Sequence, residues 1–201
     1  MPFSMPWPKK GNKVFAPAKG GKSFHLKSIF WHYPQHAAAF KLAAEMIIDK
    51  HQDATGGGHN DELLLPVCYL YRHSLELKLK DLIQLGVVLG FFNRKVLPDI
   101  WKEHSLAKLW TKVKSFLDHQ FPNEDRSPLL ATEAVVHEFH RADPSGQKFR
   151  YERDGKGKQF EHALPEFIGL GPLRMTMEGV FNFLEGCEGM LRDALSNWEG
   201  P

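Results

Sequence analysis

The sequence predicts an all-α protein, a helical bundle of about five helices with a short β-hairpin or ordered loop inserted near residues 147–161. Three observations support this prediction. Apolar residues recur at steps of three and four through most of the chain, which is the spacing of a buried helix face. Proline and glycine stand where those runs begin and end. Two short alternating pieces near residues 147–161 flank Asp154-Gly155, a dipeptide typical of hairpin turns.

The chain of 201 residues is long enough for one domain, and its charge divides it into an arm and a body. Residues 1–27 are rich in proline, glycine and lysine, so we expect an extended arm, with a single domain over residues 28–201. A basic arm on a slightly acidic body suits an anionic partner, nucleic acid first. A solvated tail is the alternative. The arm lysines expected to contact nucleic acid are Lys9, Lys10, Lys13, Lys19 and Lys22.

Cysteine usage and hydropathy limit the class of protein further. Cys68 and Cys187 are the only cysteines, and both are interpreted as small core residues, since two cysteines make neither a disulfide framework nor an all-thiolate zinc site. No apolar run approaches the roughly 20 residues that span a membrane, and the first residues lack the apolar core of a signal peptide. We therefore expect a cytoplasmic protein with no membrane segment and no cofactor.

The longest helical run is 61–86, and the other helices are expected around it. Its apolar residues form two adjoining stripes, which predicts a central position in the bundle. Asp61 and Glu62 suit its positive N-terminus, and Pro66 falls near its first turn, where a missing N–H is tolerated. The further helical segments, most with a proline, glycine or N-cap residue at one end, are 34–53, 98–101, 104–121, 127–142 and 171–198.

Two opposite charges, Arg72 and Glu76, interrupt one apolar stripe of this run one helix turn apart, and His73 flanks them. Charges on a buried helix face are tolerated only when they are paired and hydrogen-bonded. One interpretation is a buried pair that fixes the helix register. The other is a site in which Arg72 holds a phosphate, His73 transfers a proton and Glu76 orients them. His104 either caps the next long helix or hydrogen-bonds to the central one, where it would join that site.

A second polar cluster lies between the fourth long helix and the 147–161 segment. Asp143 and Ser145 are typical turn residues, but two arginines and a tyrosine around one turn are also suited to bind a phosphate. The candidate phosphate-binding or ligand-binding residues are Arg141, Asp143, Ser145, Arg150 and Tyr151. His137 and His140 share a helix face, yet they lack the spacing of a zinc-binding pair and a third ligand. No metal site is therefore predicted.

Three short blocks resemble bacterial helical proteins allied to the HEPN domains. The blocks are YRHSLELKLK at 71–80, HSLAKLW at 104–110 and DPSGQKFRY at 143–151. The resemblance implies a helical bundle, commonly a homodimer, and in many members a ribonuclease of a toxin–antitoxin or phage-defence system. The chain departs from the family pattern at Gly146, where serine is usual. It also lacks the family's catalytic signature, an Arg followed after four to six residues by a His.

Two functional hypotheses follow. The first is a metal-independent ribonuclease in which His73 or His104 is the base or acid. Arg72 and Arg150 would hold phosphate, and the lysine arm would bind RNA. The second is an inactive binding or regulatory module whose same polar pocket recognises RNA, a nucleotide or a partner protein. The missing Arg–His spacing favours the second hypothesis, while the clustering of arginine, histidine and tyrosine favours the first.

Overall fold

A computed structural model of the chain describes residues 7, 8, 10, 14, 33–52, 61–161 and 164–196. Within these residues the all-α prediction is confirmed, because the chain forms six α-helices and no strand. The helices are α1 (Tyr33–Gln52), α2 (Leu64–Val88), α3 (Leu97–Lys102), α4 (Leu106–Gln120), α5 (Ser127–Ala142) and α6 (Leu170–Ser196). The predicted arm falls almost entirely outside the described residues, which include Lys10 but not Lys9, Lys13, Lys19 or Lys22.

The central helix is α2, as its two apolar stripes predict. It packs along α1 and also contacts α4 and α6, while α5 contacts α4 and α6. Leu75, Leu79, Leu82 and Ile83 have no exposed surface, and burial of each such side chain contributes about 1.5–3 kcal/mol. Because neighbouring helices cover α2 on several sides, most of its polar residues between positions 72 and 81 are buried as well.

The backbone immediately before α4 is held by side-chain hydrogen bonds. Ser105 is the N-cap of α4, and its hydroxyl oxygen accepts a hydrogen bond from the N–H of Lys108 (3.4 Å). Glu103 Oε1 accepts the backbone N–H groups of His104 (3.1 Å) and Ser105 (2.9 Å). Such caps satisfy N–H groups that a helix start leaves unpaired. They also fix the position of His104 between α3 and α4.

Of the two alternatives predicted for residues 147–161, the β-hairpin is wrong and the segment is a loop. Arg153 and Gln159 form one isolated antiparallel bridge, and no strand develops around it in this segment. The Asp154 carboxylate instead accepts two nearby backbone N–H groups, at 2.8 and 2.9 Å, which closes a compact turn. Residues 151–159 are mainly exposed. A pair of strands here would have no apolar face to bury, and an isolated pair is marginally stable in water.

The cysteines and the hydropathy of the described helices limit the class of protein. Cys68 and Cys187 are buried and free, and burial raises the pKa of each thiol to about 11. Neither side chain is therefore a reactive thiolate at neutral pH. Across 33–52, 61–161 and 164–196, no helix combines the length and the apolar character that crossing a membrane requires.

A group of charges, buried on α2 and more exposed on α6, joins the two helices. Lys78 on α2 pairs with Glu188 on α6. Arg192, one turn further along α6, places its Nε 2.6 Å from Glu188 Oε1 and its Nη2 3.5 Å from Asp81 Oδ2. Burial, together with the nearby negative charge of Glu188, raises the pKa of Asp81 to about 6. This carboxyl is therefore easier to protonate in the folded protein than in the unfolded chain.

We expect the stability of the protein to depend on pH through Asp81. Its folded pKa lies above the ordinary 3.8, so its favourable contribution is complete at low pH and is lost as pH rises through about 6. A pKa difference of about two units corresponds to roughly 3 kcal/mol once the group is fully ionised. The difference develops between the unfolded pKa of 3.8 and the folded pKa of about 6. In urea unfolding, Asp81→Asn should therefore gain stability relative to wild type as the pH rises from about 4 to 7. Asp193→Asn, on the exposed side of α6, is the control, and parallel pH curves for wild type and Asp81→Asn would contradict the prediction.

Candidate functional site

A buried guanidinium lies at the centre of the site. Arg72 on α2 is only 1% exposed, and each of its nitrogens donates a hydrogen bond within the protein. Nε bonds to the backbone oxygen of Asp143 (2.9 Å), and Nη1 bonds to Glu76 Oε2 (3.1 Å). Nη2 bonds to the backbone oxygen of His104 (2.7 Å). Arg72 thus joins α2 to the end of α5 and to the segment before α4.

Glu76 connects this guanidinium to two further donors. It lies one helix turn after Arg72, and its Oε1 accepts from Lys80 Nζ (2.8 Å) and contacts His104 Nδ1 (2.9 Å). Burial raises the pKa of Glu76, but the hydrogen bond and charge of Lys80, followed by those of His104, outweigh it and hold the pKa below its ordinary value. The carboxylate is therefore ionised at neutral pH and surrounded by donors.

His104 brings this buried network to the surface. Its side chain is 61% exposed, although its Nδ1 contacts a carboxylate that is almost fully buried. An ionised carboxylate only accepts hydrogen bonds, so Nδ1 carries the proton and Nε2 is left for a ligand from solvent. Of the two alternatives for His104, the hydrogen bond to the central helix is the one observed, since Ser105 caps α4.

His73 lies beside this network, in a stack of rings. Its imidazole packs edge-on against Phe40, with ring centroids 4.5 Å apart, and parallel to Tyr69 at 5.7 Å. Burial is the main cause that lowers the pKa of His73, so the ring is neutral at pH 7. The sequence grouped Arg72, His73 and Glu76 in one helix turn. The structure keeps the arginine and the glutamate in contact and places the histidine in the ring stack.

The turn after α5 is built around Asp143 and Gly146. Asp143 has no exposed surface, and its Oδ1 accepts the N–H groups of Gln147 (2.9 Å) and Lys148 (3.1 Å), while Oδ2 lies 3.4 Å from Arg72 Nε. Gly146 has φ +77°, and a Cβ at this position would lie 2.9 Å from Arg72 Nη1. Glycine at this position is therefore required by both the backbone angle and the close approach of Arg72.

The remaining predicted ligand-binding residues lie on the surface beside this turn. Arg150 Nε donates to the backbone oxygen of Gly146 (2.7 Å), and the guanidinium carbon lies 5.3 Å from the ring centroids of both Tyr69 and Tyr151. Arg141 and Ser145 are exposed. The structure thus divides the predicted site into a buried network that holds His104 and a surface stack on Arg150.

Sequence reasoning overlooked two residues of the site. Lys80 is one turn beyond Glu76, and this spacing of glutamate and lysine is a known helix pairing that could have identified it. His140 on α5 was considered only as a metal ligand. Burial, followed by the charge of Arg72, lowers the pKa of His140, and its Nδ1 has no hydrogen-bond partner among the described residues. Among the described residues, no three metal-binding side chains lie close enough together to hold a metal ion.

Fold and site define a helical bundle in which a buried Arg–Glu–Lys network presents one oriented imidazole to solvent. Comparison of the chain with known protein families, with curated proteins and with solved structures finds no match. The chemistry of the site is therefore argued from its own geometry. An exposed imidazole whose other nitrogen contacts a buried carboxylate is an arrangement suited to proton transfer.

Proposed function

We propose that the protein is a metal-independent ribonuclease of the HEPN-like class, with His104 as its proton-transfer residue. The observation that supports this most strongly is the 2.9 Å contact between His104 Nδ1 and the buried Glu76 carboxylate. The ring is held in one orientation and one tautomer while its side chain stays accessible. The biological setting, bacterial defence or a toxin-type system, and a homodimeric assembly rest on the three sequence blocks.

Cleavage of RNA without a metal requires a proton to leave the ribose 2′-hydroxyl as its oxygen attacks the adjacent phosphorus. In this proposal Nε2 of His104 takes that proton while the new O–P bond forms. The bond from phosphorus to the 5′-oxygen breaks, and this oxygen takes a proton from water, giving a cyclic phosphate and a 5′-hydroxyl. The hydroxide left by that water takes the proton from the imidazolium, which restores neutral His104. Glu76 stabilises the imidazolium that forms, as a carboxylate does in other acid–base pairs.

Arg72 has a positioning role in this proposal instead of the phosphate contact that the sequence suggested. Its donors are directed at Glu76 and at two backbone oxygens, and 1% exposure leaves it out of reach of a ligand on the surface. By bonding the backbone oxygen of His104, it holds that residue against α2. The exposed Arg150 and the lysine arm are the candidates to attract phosphate.

The same observation about Arg72 favours the alternative function. If the buried arginine is purely architectural and the Arg–His spacing of active HEPN proteins is absent, the surface around His104 can bind without cleaving. The protein would then be a regulatory module that recognises RNA, a nucleotide or a protein partner through the same polar pocket. Cleavage and binding assays on one set of variants separate the two functions.

Replacement of His104 by Ala should reduce RNA cleavage by a factor on the order of 10²–10⁴, the usual contribution of a general acid–base group. The assay is cleavage of a mixed RNA pool by the full chain with EDTA present. His119→Ala is the matched control, because this exposed histidine lies near the other end of α4, about 20 Å away along the helix. His104→Gln, which keeps a polar side chain, should behave like His104→Ala.

The thermal midpoint of each variant must match wild type before rates are compared. Equal cleavage by wild type and both His104 variants would refute the proposed role of this residue. Absence of cleavage by wild type, with RNA still retained in a low-salt gel shift, would establish the binding module in place of the ribonuclease.

A further inference from the structure

We propose that the stack of Tyr69, Arg150 and Tyr151 is a binding site for an unpaired nucleotide of single-stranded RNA. The base stacks on Tyr151, and the phosphate binds the terminal nitrogens of Arg150. This inference rests on the proposed function, since it names the form of RNA that the site near His104 receives, and it extends that function by assigning specificity for unpaired strands.

Arg150 is already fixed in a geometry suited to phosphate. Its guanidinium carbon lies 5.3 Å from the centroids of Tyr69 and of Tyr151, and its Nε is bonded to the backbone oxygen of Gly146 at 2.7 Å. Contact with two rings and one hydrogen bond limits the rotation of a side chain that is otherwise flexible. An arginine held in this way loses little further freedom when its terminal N–H groups bind a phosphate.

Tyr151 offers an aromatic surface to solvent, since the residue is 57% exposed. A nucleobase that is not paired or stacked in a duplex can lie on such a ring, and every base has a face that fits. A base inside a duplex is stacked between its neighbours and is excluded from this contact. The arrangement therefore selects single strands.

The net charge of the segment that holds Arg150 and Tyr151 also suits RNA. Residues 147–161 carry five basic and three acidic side chains, and one of the acids, Asp154, accepts backbone N–H groups within its own turn. Arg153, Lys156 and Lys158 are exposed on this segment. Their positive charge attracts the phosphate backbone without regard to sequence.

A short chain of contacts connects the stack to the proposed catalytic residue. Gly146, whose oxygen binds Arg150, packs against the Nη1 side of Arg72, and Nη2 of the same guanidinium bonds to the backbone oxygen of His104. Arg150 and His104 are thus connected through one buried side chain.

The test is fluorescence anisotropy of a labelled single-stranded RNA whose riboses carry 2′-O-methyl groups, so that it binds but is not cleaved. Tyr151→Leu should bind this RNA roughly 5- to 150-fold more weakly than the wild-type full chain, the usual effect of losing one stacked base. Tyr151→Phe should bind like wild type, because the ring is kept. Arg150→Lys, which keeps the charge but not the flat guanidinium, should bind more weakly than the matched control Arg126→Lys.

The second measurement uses the same RNA annealed into a duplex. The duplex should bind more weakly, through charge alone, and with the same affinity to wild type and to Tyr151→Leu. An unchanged affinity of Tyr151→Leu for the single strand, or an equal loss for strand and duplex, would overturn the inference, and so would failure of wild type to bind the strand. Because the probe is not cleaved, loss of single-strand binding in Tyr151→Leu supports the site even if wild type cleaves no RNA. If wild type cleaves RNA and Tyr151→Leu binds the single strand normally, the ribonuclease proposal stands and the nucleotide site is refuted.

Discussion

Replacement of Arg72 by Met is expected to lower the free energy of unfolding by about 3–5 kcal/mol, the range measured when one partner of a buried ion pair is removed. Methionine fills much of the volume of the arginine stem and adds no new polar group. The loss therefore comes from what the guanidinium leaves behind. The backbone oxygens of Asp143 and His104 lose a donor, and the Asp143 carboxylate loses a positive charge 3.4 Å away. Buried groups without a partner are the main source of such losses.

Urea unfolding of the Arg72→Met and Arg126→Met variants measures this effect with a matched control. Arg126 also pairs with an aspartate, Asp118 at 2.7 Å, but its side chain is 48% exposed. An exposed pair contributes about 0–1 kcal/mol, so the control should unfold almost like wild type. If the two variants lost the same amount of stability, the network around Arg72 would have no special energetic role.

Replacement of Gly146 by Ala is expected to cost about 2–5 kcal/mol for two separate reasons. At φ +77° an L-residue is strained by roughly 1–2 kcal/mol. The added methyl would also lie 2.9 Å from Arg72 Nη1, and overpacking of this kind costs about 1–3 kcal/mol. Arginine tips elsewhere move aside easily, but this one is held by its bonds to Glu76 and to two backbone oxygens. Either those bonds or the turn must shift.

Gly90→Ala separates the two causes. Gly90 has almost the same backbone angle, φ +76°, and a Cβ there would meet no atom within 4 Å. In chemical denaturation, Gly90→Ala should therefore lose only the free energy of unfolding that the backbone strain costs. The difference between the two variants measures the contact with Arg72. If both variants lost the same stability, the Arg72 guanidinium would move aside at no cost. This result would contradict the rigid network described above.

Most of the fold could be predicted from the sequence because its signals are local. The apolar stripes of α2 predicted a central helix. Ser127 as N-cap and Pro128 as first helical residue predicted the start of α5 to within one residue, since the helix begins at Ser127 and its N-cap is Arg126. The exception is the segment around Asp154-Gly155. Its alternating residues are typical of a hairpin, but alternation stabilises strands only where one face is buried, and this segment is mainly exposed.

Part of the site could be predicted from the sequence, again because its signal is local. The pairing of Arg72 with Glu76 follows from their spacing on one helix and was predicted. The contact between Glu76 and His104 joins residues 28 positions apart, and no local pattern distinguishes it from the capping role that His104 was also suited to play. Likewise, His73 lies next to Arg72 in sequence, but successive residues on a helix point about 100° apart. Only the three-dimensional packing assigns it to the ring stack.

Arg72 also acts as a reversible cross-link. One guanidinium joins residue 72 to residues 104 and 143, which lie 32 and 71 positions further along the chain. Disulfides make closures of this length covalently and persist in the unfolded chain, whereas both described cysteines of this protein are free. The closure by Arg72 forms anew each time the chain folds, after α2, the segment before α4 and the end of α5 have met. It is therefore insensitive to redox conditions and exists only in the assembled bundle.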